Sequence, residues 1–531
     1  MKFSVLALRS GDYLNLSREA ASRSGARAES AAGPAVIEAQ GGFWVGLGDE
    51  IFVCAANGKW DALAGRLELA GAAGDIRKSD LHLVVQTGTS FQAAYPDTRV
   101  LAGKGRYLIV EFDREAARDL GDSRSPAFVI RPVPENVAIY AQHPRREPAR
   151  LPAPEIAAAV AAVSRAGFET VVTHLVSYRT RHSTSADFRA AAAWAQSQFE
   201  ALGLTCTTAD VTVGSGTSLN VIATKAGNSP DAARGAVLVV AHLDSVNHGA
   251  GPNAPAPGAD DNASGSAGVL TLAAAMAGQE FAHDLVFILF GGEEQGLLGS
   301  TQYVAALSPT ERARIRAVLN MDMIGRVNSP PPTVMLEGAP LSQGMIDALA
   351  QSAQAHTTLA IQTSLNPFAS DHVPFIDAGI AAVLTIEGAD SANDAVHSGQ
   401  DTLDRLDMDY ATQILRMNAG WLAAEAGIMA TSQPSPQPSP QPGTLPVPPA
   451  DPGACGCGCG PGAGGPSAGG PGIGGPAAQA ALFHLNQVNG HYQALFAQYA
   501  RINRDGRLDP ADRAEWQSAL LAFGQLDRKP R

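Results

Sequence analysis

Two apolar runs in this chain are each followed by side chains that can bind a metal ion or move a proton. The letters AVLVV shortly precede His242 and Asp244, and the letters LVFILF shortly precede Glu293 and Glu294. Both runs have the length and the β-branched or aromatic content of buried strands. Ligands of open α/β sheets bind outside the carboxyl ends of the strands, so these four side chains are predicted to line one site.

Three further motifs supply carboxylate and imidazole groups. Asp260 and Asp261 come before the letters NASG, which lead into an alanine-rich helical stretch. Asp322 lies in the letters NMDMIG, and His397 lies in VHSGQDT. Imidazole nitrogen and carboxylate oxygen are ligands of zinc, and catalytic zinc sites leave one position open for water.

Five of these residues form a candidate ligand set for two zinc ions, provided that one carboxylate bridges them: His242, Asp261, Glu294, Asp322 and His397. Two metal ions ~3.5–4 Å apart can together activate one water molecule. Each motif alone has a plainer explanation. The adjacent glutamates, for example, suit the N-terminus of a helix, where the helix dipole favours negative charge. The occurrence of five such motifs in one α/β segment favours a metal centre.

The motifs resemble those of the M28 family of zinc peptidases, which contains bacterial leucyl aminopeptidases. HLDS, GADDNASG, GGEEQGLLGS, NMDMIG, SDHVPF and HSGQDT follow one another in the family's order within roughly residues 170–430. The resemblance implies that His242 and Asp322 bind one zinc ion. Glu294 and His397 would bind the second ion, and Asp261 would bridge the two.

The resemblance also implies roles for the neighbouring side chains. Glu293 would be the general base, which takes a proton from water and returns it to the leaving amine. Asp244 would accept a hydrogen bond from the distal nitrogen of His242 and thereby fix its tautomer. Asp260 is the alternative to Asp261 for the bridging position, and the motif favours Asp261 because the ligand directly precedes NASG.

The intact ligand set favours a two-zinc aminopeptidase that acts on peptides with a free N-terminus. A one-zinc glutaminyl cyclase is an alternative on the same fold, but it would not need a full second set of ligands. Carboxypeptidase or amidohydrolase specificity would use the same two-zinc chemistry and stays open. A non-catalytic binding protein would be expected to have lost Glu293 or a ligand, and the sequence keeps them all. The preferred N-terminal residue and the oligomeric state do not follow from the sequence.

Charge and hydropathy narrow the range of partners. The formal net charge of −13 argues against nucleic acid or an anionic membrane, because both are bound by basic patches. No apolar run reaches the length of a membrane span. The N-terminal letters MKFSVLALRS are too short in apolar residues for a secretory signal. A cytoplasmic location is therefore expected by default, although many members of the family are secreted.

Composition divides the chain into four parts. A β-rich domain, either a permanent accessory domain or a removable prodomain, is followed by an α/β peptidase domain with a mostly parallel mixed sheet flanked by helices. A disordered Pro/Gly-rich linker then leads to a short helical segment. The predicted bounds are 1–150, 151–430, 431–478 and 479–531. Within the peptidase domain, helical periodicity predicts helices at Ile156–Ala166 and Ala186–Leu202.

Overall fold

The structure is a computed structural model. It describes residues 1–7, 37–39, 41–48, 50–67, 76–122, 128–143, 153–230, 233–328 and 330–429. The predicted linker at 431–478 and the predicted helical segment at 479–531 lie outside the described residues.

The described strands form two sheets. In chain order they are β1 (Lys2–Ala7), β2 (Gly42–Leu47), β3 (Glu50–Ala55), β4 (Leu81–Gln86), β5 (Arg99–Lys104), β6 (Tyr107–Glu111), β7 (Phe128–Pro132), β8 (Val137–His143), β9 (Thr205–Val213), β10 (Gly216–Lys225), β11 (Ala236–His242), β12 (Asp284–Phe290), β13 (Ile315–Met321), β14 (Thr333–Glu337), β15 (Ala360–Ser364) and β16 (Ala382–Glu387). The 12-stranded sheet has the order β1-β3-β2-β8-β15-β14-β16-β13-β11-β12-β10-β9, and the 4-stranded sheet has the order β5-β6-β4-β7.

Helices lie on both faces of the larger sheet. The described α-helices are α1 (Asn57–Leu67), α2 (Ser90–Ala94), α3 (Arg114–Asp122), α4 (Pro154–Ala161), α5 (Arg165–Val176), α6 (Ala186–Ala201), α7 (Gly265–Ala277), α8 (Leu298–Ala306), α9 (Pro309–Arg314), α10 (Gln343–His356), α11 (His372–Asp377) and α12 (Met408–Glu425). Among the described residues, no single helix is long and apolar enough to cross a membrane; α4 and α5 meet that test only together, and they are bent by 43°.

The middle strands explain why the site motifs come together. Val237 and Val239 of β11 pack into one hydrophobic cluster, whereas Leu238 and Val240 pack into a cluster on the opposite face. A strand that is buried on both faces has apolar residues at successive positions, and the sequence of β11 has this pattern. β16, β13, β11 and β12 run parallel, so their carboxyl ends meet at one edge of the sheet.

The predicted mixed sheet with flanking helices is confirmed. Its longest parallel part is this central group of strands, and β14 and β15 also pair parallel. Further out, β14 pairs antiparallel with β16, and β10 pairs antiparallel with both β12 and β9. The link between β9 and β10 is only two residues long, and a hairpin of that length requires antiparallel strands. The helix predicted at Ile156–Ala166 is two helices, because the Ser164 side chain accepts from the Gly167 amide and starts α5.

The N-terminal strands continue the same large sheet. β8 pairs antiparallel with β15, and β2 pairs parallel with β8. The hydrophobic cluster beneath them combines Phe43 and Leu83 with Met335 and Leu384, which lie in the predicted peptidase domain. The predicted boundary at residue 150 therefore falls between strands that share one sheet and one core.

A buried ion pair crosses that boundary. Arg106, which directly precedes β6, places Nη2 2.6 Å from Asp390 Oδ2 and Nη1 3.4 Å from Glu337 Oε1. The Arg106 side chain is 8% exposed, and that of Glu337 is fully buried. Glu337 also accepts a hydrogen bond of 2.8 Å from Tyr107 Oη. The guanidinium of the smaller sheet is thus neutralised by carboxylates of the peptidase region.

Candidate metal centre

The five predicted ligands meet at the carboxyl edge of the central strands. His242 is the last residue of β11, Asp322 directly follows β13, and Glu294 lies four residues beyond β12. Asp261 lies in the turn that precedes α7, and His397 lies in the loop that follows β16. The parallel register sets this convergence, since His242 is paired with Phe290 at the end of β12.

Asp261 lies between the two imidazoles. Its Oδ1 is 3.3 Å from His242 Nε2, and its Oδ2 is 3.1 Å from His397 Nε2. Each imidazole also faces a carboxylate of its own. Asp322 Oδ1 is 3.2 Å from His242 Nε2, and Glu294 Oε2 is 3.0 Å from His397 Nε2. The set therefore consists of two groups of three donors that share one carboxylate.

These separations suit a pair of four-coordinate cations. Bonds of about 2.0–2.1 Å to a tetrahedral zinc ion place neighbouring donor atoms roughly 3.3 Å apart. Glu294 Oε1 is buried and has no hydrogen-bond partner among the described residues, so it keeps a lone pair for a cation. A buried group of carboxylates is also costly without positive charge nearby. The donors present here fit two zinc ions.

Comparison with known proteins identifies a family and several similar chains. Residues 220–422 match the sequence model of Peptidase family M28. This part of the chain belongs to peptidase family M28. The chain is similar to leupeptin-inactivating enzyme 1 of Streptomyces exfoliatus, with 32% identity over 264 residues, which cover 47% of this chain and 56% of that protein. It is also similar to an aminopeptidase of Pseudomonas aeruginosa strain UCBPP-PA14, with 37% identity over 182 residues, or 32% of this chain and 31% of that one.

Among solved structures, the LapA aminopeptidase of Legionella pneumophila is similar. It has 20% sequence identity and a TM-score of 0.48, over 65% of this chain and 98% of that one. This chain spans only about a third to a half of the length of the two curated relatives.

The backbone carbonyl and the carboxylate of Asp244 organise different parts of the site. The backbone carbonyl of Asp244 lies 3.1 Å from His242 Nδ1, and because a carbonyl can only accept, Nδ1 carries the proton. That tautomer leaves the lone pair of Nε2 facing the cation position. The Asp244 carboxylate is farther away, at 3.7 Å, and accepts from the amides of Glu293 and Glu294 at 3.3 Å each. The predicted bond to His242 thus comes from the Asp244 backbone, and the carboxylate holds the two glutamates.

Asp401 separates the roles of the two adjacent aspartates. Its carboxylate accepts from the Asp260 amide at 3.0 Å and from the Asp261 amide at 2.9 Å. The Asp260 carboxylate accepts from the Gly325 amide at 2.8 Å and from Asn393 Nδ2 at 2.9 Å. With Asp260 engaged in this way, Asp261 is the one that reaches both imidazoles.

Arg181 is a supporting residue that sequence reasoning missed. It is fully buried, and its guanidinium donates to the backbone carbonyls of Leu243, Pro257 and Gly258 at 2.8, 2.6 and 2.9 Å. These carbonyls flank the segments that carry His242 and Asp261. Every residue has a carbonyl, so the sequence around these acceptors holds no sign of the contact.

Asp322 also has a partner of its own. Ser370 Oγ donates to Asp322 Oδ2 at 2.6 Å, and Asn320 Nδ2 donates to Ser370 Oγ at 2.8 Å. The second oxygen of Asp322 is therefore occupied, which leaves Oδ1 to face His242.

Burial and neighbouring charges set the protonation of the site. Burial raises the pKa of Glu293 well above its usual range, and the carboxylates of Glu294 and Asp322 raise it further. Asp261 behaves in the opposite way. Burial alone would raise its pKa, but hydrogen bonds from the two imidazoles hold it well below its usual range. Asp261 is thus kept as a carboxylate, and Glu293 is the group with the higher affinity for a proton.

Proposed function

We propose that this protein is a two-zinc aminopeptidase, which removes N-terminal residues from peptides. The observation that carries the proposal is the placement of Asp261, whose two oxygens face two imidazoles that each have a carboxylate of their own. The membership of residues 220–422 in peptidase family M28 supports peptide substrates. The names of the relatives, which include an aminopeptidase of Pseudomonas aeruginosa, support cleavage from the N-terminus.

The donor groups define two positions. His242 and Asp322 would hold one zinc ion, Glu294 and His397 would hold the other, and Asp261 would contact both. When bound, zinc would polarise the scissile carbonyl and lower the pKa of water to about 7. The three carboxylates of this set would offset three of the four positive charges of two divalent cations.

Glu293 is proposed as the general base. Its Oε2 lies 3.9 Å from His242 Nε2, so the carboxylate is beside the His242 position without being one of its closest donors. A base must stay free of the metal in order to accept the proton of the attacking water and return it to the leaving amine. The Asp244 carboxylate holds the backbone of Glu293 and so limits where the base can point.

A substrate panel tests this function. The purified full-length protein is assayed with aminoacyl amides that have a free amine and with the same compounds after N-acetylation. We expect hydrolysis of the free-amine compounds and loss of hydrolysis after acetylation. Equal rates on both sets would contradict an aminopeptidase and favour the amidohydrolase alternative.

The metal content is a separate prediction. We expect about two zinc ions per chain in fully active protein, and we expect chelators to remove them together with the activity. Elemental analysis on the assayed sample measures this ratio. Full activity with one zinc ion and no gain after zinc addition would instead favour the one-zinc glutaminyl cyclase alternative.

We also propose that the N-terminal β-rich region is a permanent part of the molecule and not a removable prodomain. Its support is the pairing of β8 with β15 and the buried contact of Arg106 with Asp390 and Glu337. A prodomain that leaves after cleavage would have to break a sheet and expose three buried charges.

Cleavage at the boundary tests this proposal. A site for a specific protease is inserted between Arg146 and Glu147, and the protein is cut and applied to a sizing column under native conditions. We expect the two fragments to elute together and activity on small substrates to stay at the uncut level. Elution as two separate fragments, or a rise in activity after the cut, would favour the prodomain.

A further inference from the structure

His248 lies next to the metal centre but outside the predicted ligand set. It belongs to the loop between β11 and the turn that carries Asp261, and its side chain is exposed. Its backbone amide donates to the His397 carbonyl at 3.1 Å. The two imidazole rings meet edge to face with their centroids 4.6 Å apart. The hydrogen bond thus joins the two loops, and the two imidazoles lie side by side.

The donor atoms around His248 are grouped closely enough to hold a cation. His248, Glu294 and His397 each offer one ligand atom, and these atoms all lie within 4.8 Å of one another. Within this group, Glu294 Oε1 is buried without a hydrogen-bond partner among the described residues. Because His248 is exposed, a change of side-chain torsion can bring its imidazole to bonding distance.

We propose that His248 is a fourth protein ligand of the divalent cation held by His397, Glu294 and Asp261. The proposal rests on the two-zinc site of the proposed function and deepens it. Zinc sites with four protein ligands are closed, whereas catalytic sites have three protein ligands and an open position. The His397 position would therefore be closed by protein.

The other position keeps its opening. His242, Asp322 and Asp261 supply three donors there, and Glu293 is beside them, at 3.9 Å from His242 Nε2. The base and the open position thus lie on the same side of the shared carboxylate. The two cations would divide the work, with the closed one holding Asp261 in place and the open one receiving water.

Metal titration of His248 variants tests this assignment. Full-length protein is stripped with a chelator and titrated with Co²⁺, which reports both affinity and coordination through its visible absorption. We expect two binding events in the unaltered chain. In His248→Ala, one event should weaken by at least about tenfold and its absorption should change, while the other event stays the same.

Two further variants make the test specific. His248→Cys keeps a zinc-binding side chain at the position and should bind Zn²⁺ more tightly than His248→Ala. His182→Ala is the matched control. The His182 imidazole lies 3.1 Å from Thr184 Oγ1 and is not one of the grouped donors, so this variant should leave both binding events unchanged.

The outcomes separate this inference from the proposed function. If His248→Ala and the unaltered chain have the same two affinities and the same absorption, His248 is not a ligand and only this inference is overturned. The inference is also overturned if His182→Ala weakens binding as much as His248→Ala does. If the unaltered chain binds no metal at either position, the proposed function itself fails.

Discussion

Replacing Glu293 by glutamine is expected to reduce the turnover of aminoacyl amides by about 10²–10⁴-fold, which is the usual contribution of a general base. The amide has nearly the shape of the carboxylate but cannot accept the proton of water. The Asp244 carboxylate holds the backbone of residue 293, so the substituted side chain should stay in the same place. The loss should appear in kcat and in kcat/KM alike, because the proton moves only as the transition state forms.

The metal content distinguishes this role from that of the adjacent ligand. Glu293→Gln should keep about two zinc ions per chain. Glu294→Gln removes a carboxylate that lies 3.0 Å from His397 Nε2, so it should lower the affinity for one ion. Elemental analysis and steady-state kinetics on both variants make the comparison. Turnover of Glu293→Gln near that of the unaltered chain would place the base elsewhere, and loss of metal from it would make Glu293 a ligand.

Part of the metal site could be predicted from the sequence because its ligands lie at the ends of buried strands, which are recognisable locally. A buried parallel strand must be apolar along its whole length, so the residue that ends it is easy to locate. His242 ends one such strand and Asp322 directly follows another, and His242 is paired in register with the end of β12. Asp261 and His397 lie in loops, where no periodicity applies. Their residue types made them candidate ligands, and the choice of Asp261 over Asp260 rested on the resemblance to the M28 family.

The supporting contacts could not be found in this way because their partners are backbone groups or distant residues. Arg181 donates to backbone carbonyls, and the acceptor for His242 Nδ1 is the Asp244 carbonyl. Arg106 meets Glu337 and Asp390 across 231 and 284 residues of sequence. The pairing of β8 with β15 uses backbone hydrogen bonds, so the side chains near residue 150 do not indicate that the sheet continues across the predicted boundary.

Replacing Arg106 by methionine should destabilise the folded protein by about 3–5 kcal/mol, because the change leaves two carboxylates buried without their cation. Methionine retains most of the apolar length of the side chain, so the loss of unfolding free energy comes mainly from the missing charge. Arg99→Met is the matched control. Arg99 lies in the same small sheet and pairs with Glu111 at 3.0 Å, but the two side chains are 47% and 32% exposed. Surface pairs contribute at most about 1 kcal/mol.

The pH dependence gives the Arg106 prediction a sign. In the unaltered chain, burial alone would raise the pKa of Glu337, but Arg106 holds it below its usual range, with help from His372 and Tyr107. A lowered folded-state pKa means that the pair stabilises the protein fully above the unfolded value of about 4.3 and loses that effect as the pH falls through the folded value. Without the cation, burial should raise the pKa of Glu337. The folded variant then takes up a proton and loses stability as the pH rises.

The loss of unfolding free energy in Arg106→Met, measured by urea unfolding, should therefore be larger at pH 8 than at pH 5. A deficit no larger than that of Arg99→Met, or one that grows toward acid pH, would contradict a buried ion pair between the N-terminal strands and the peptidase region.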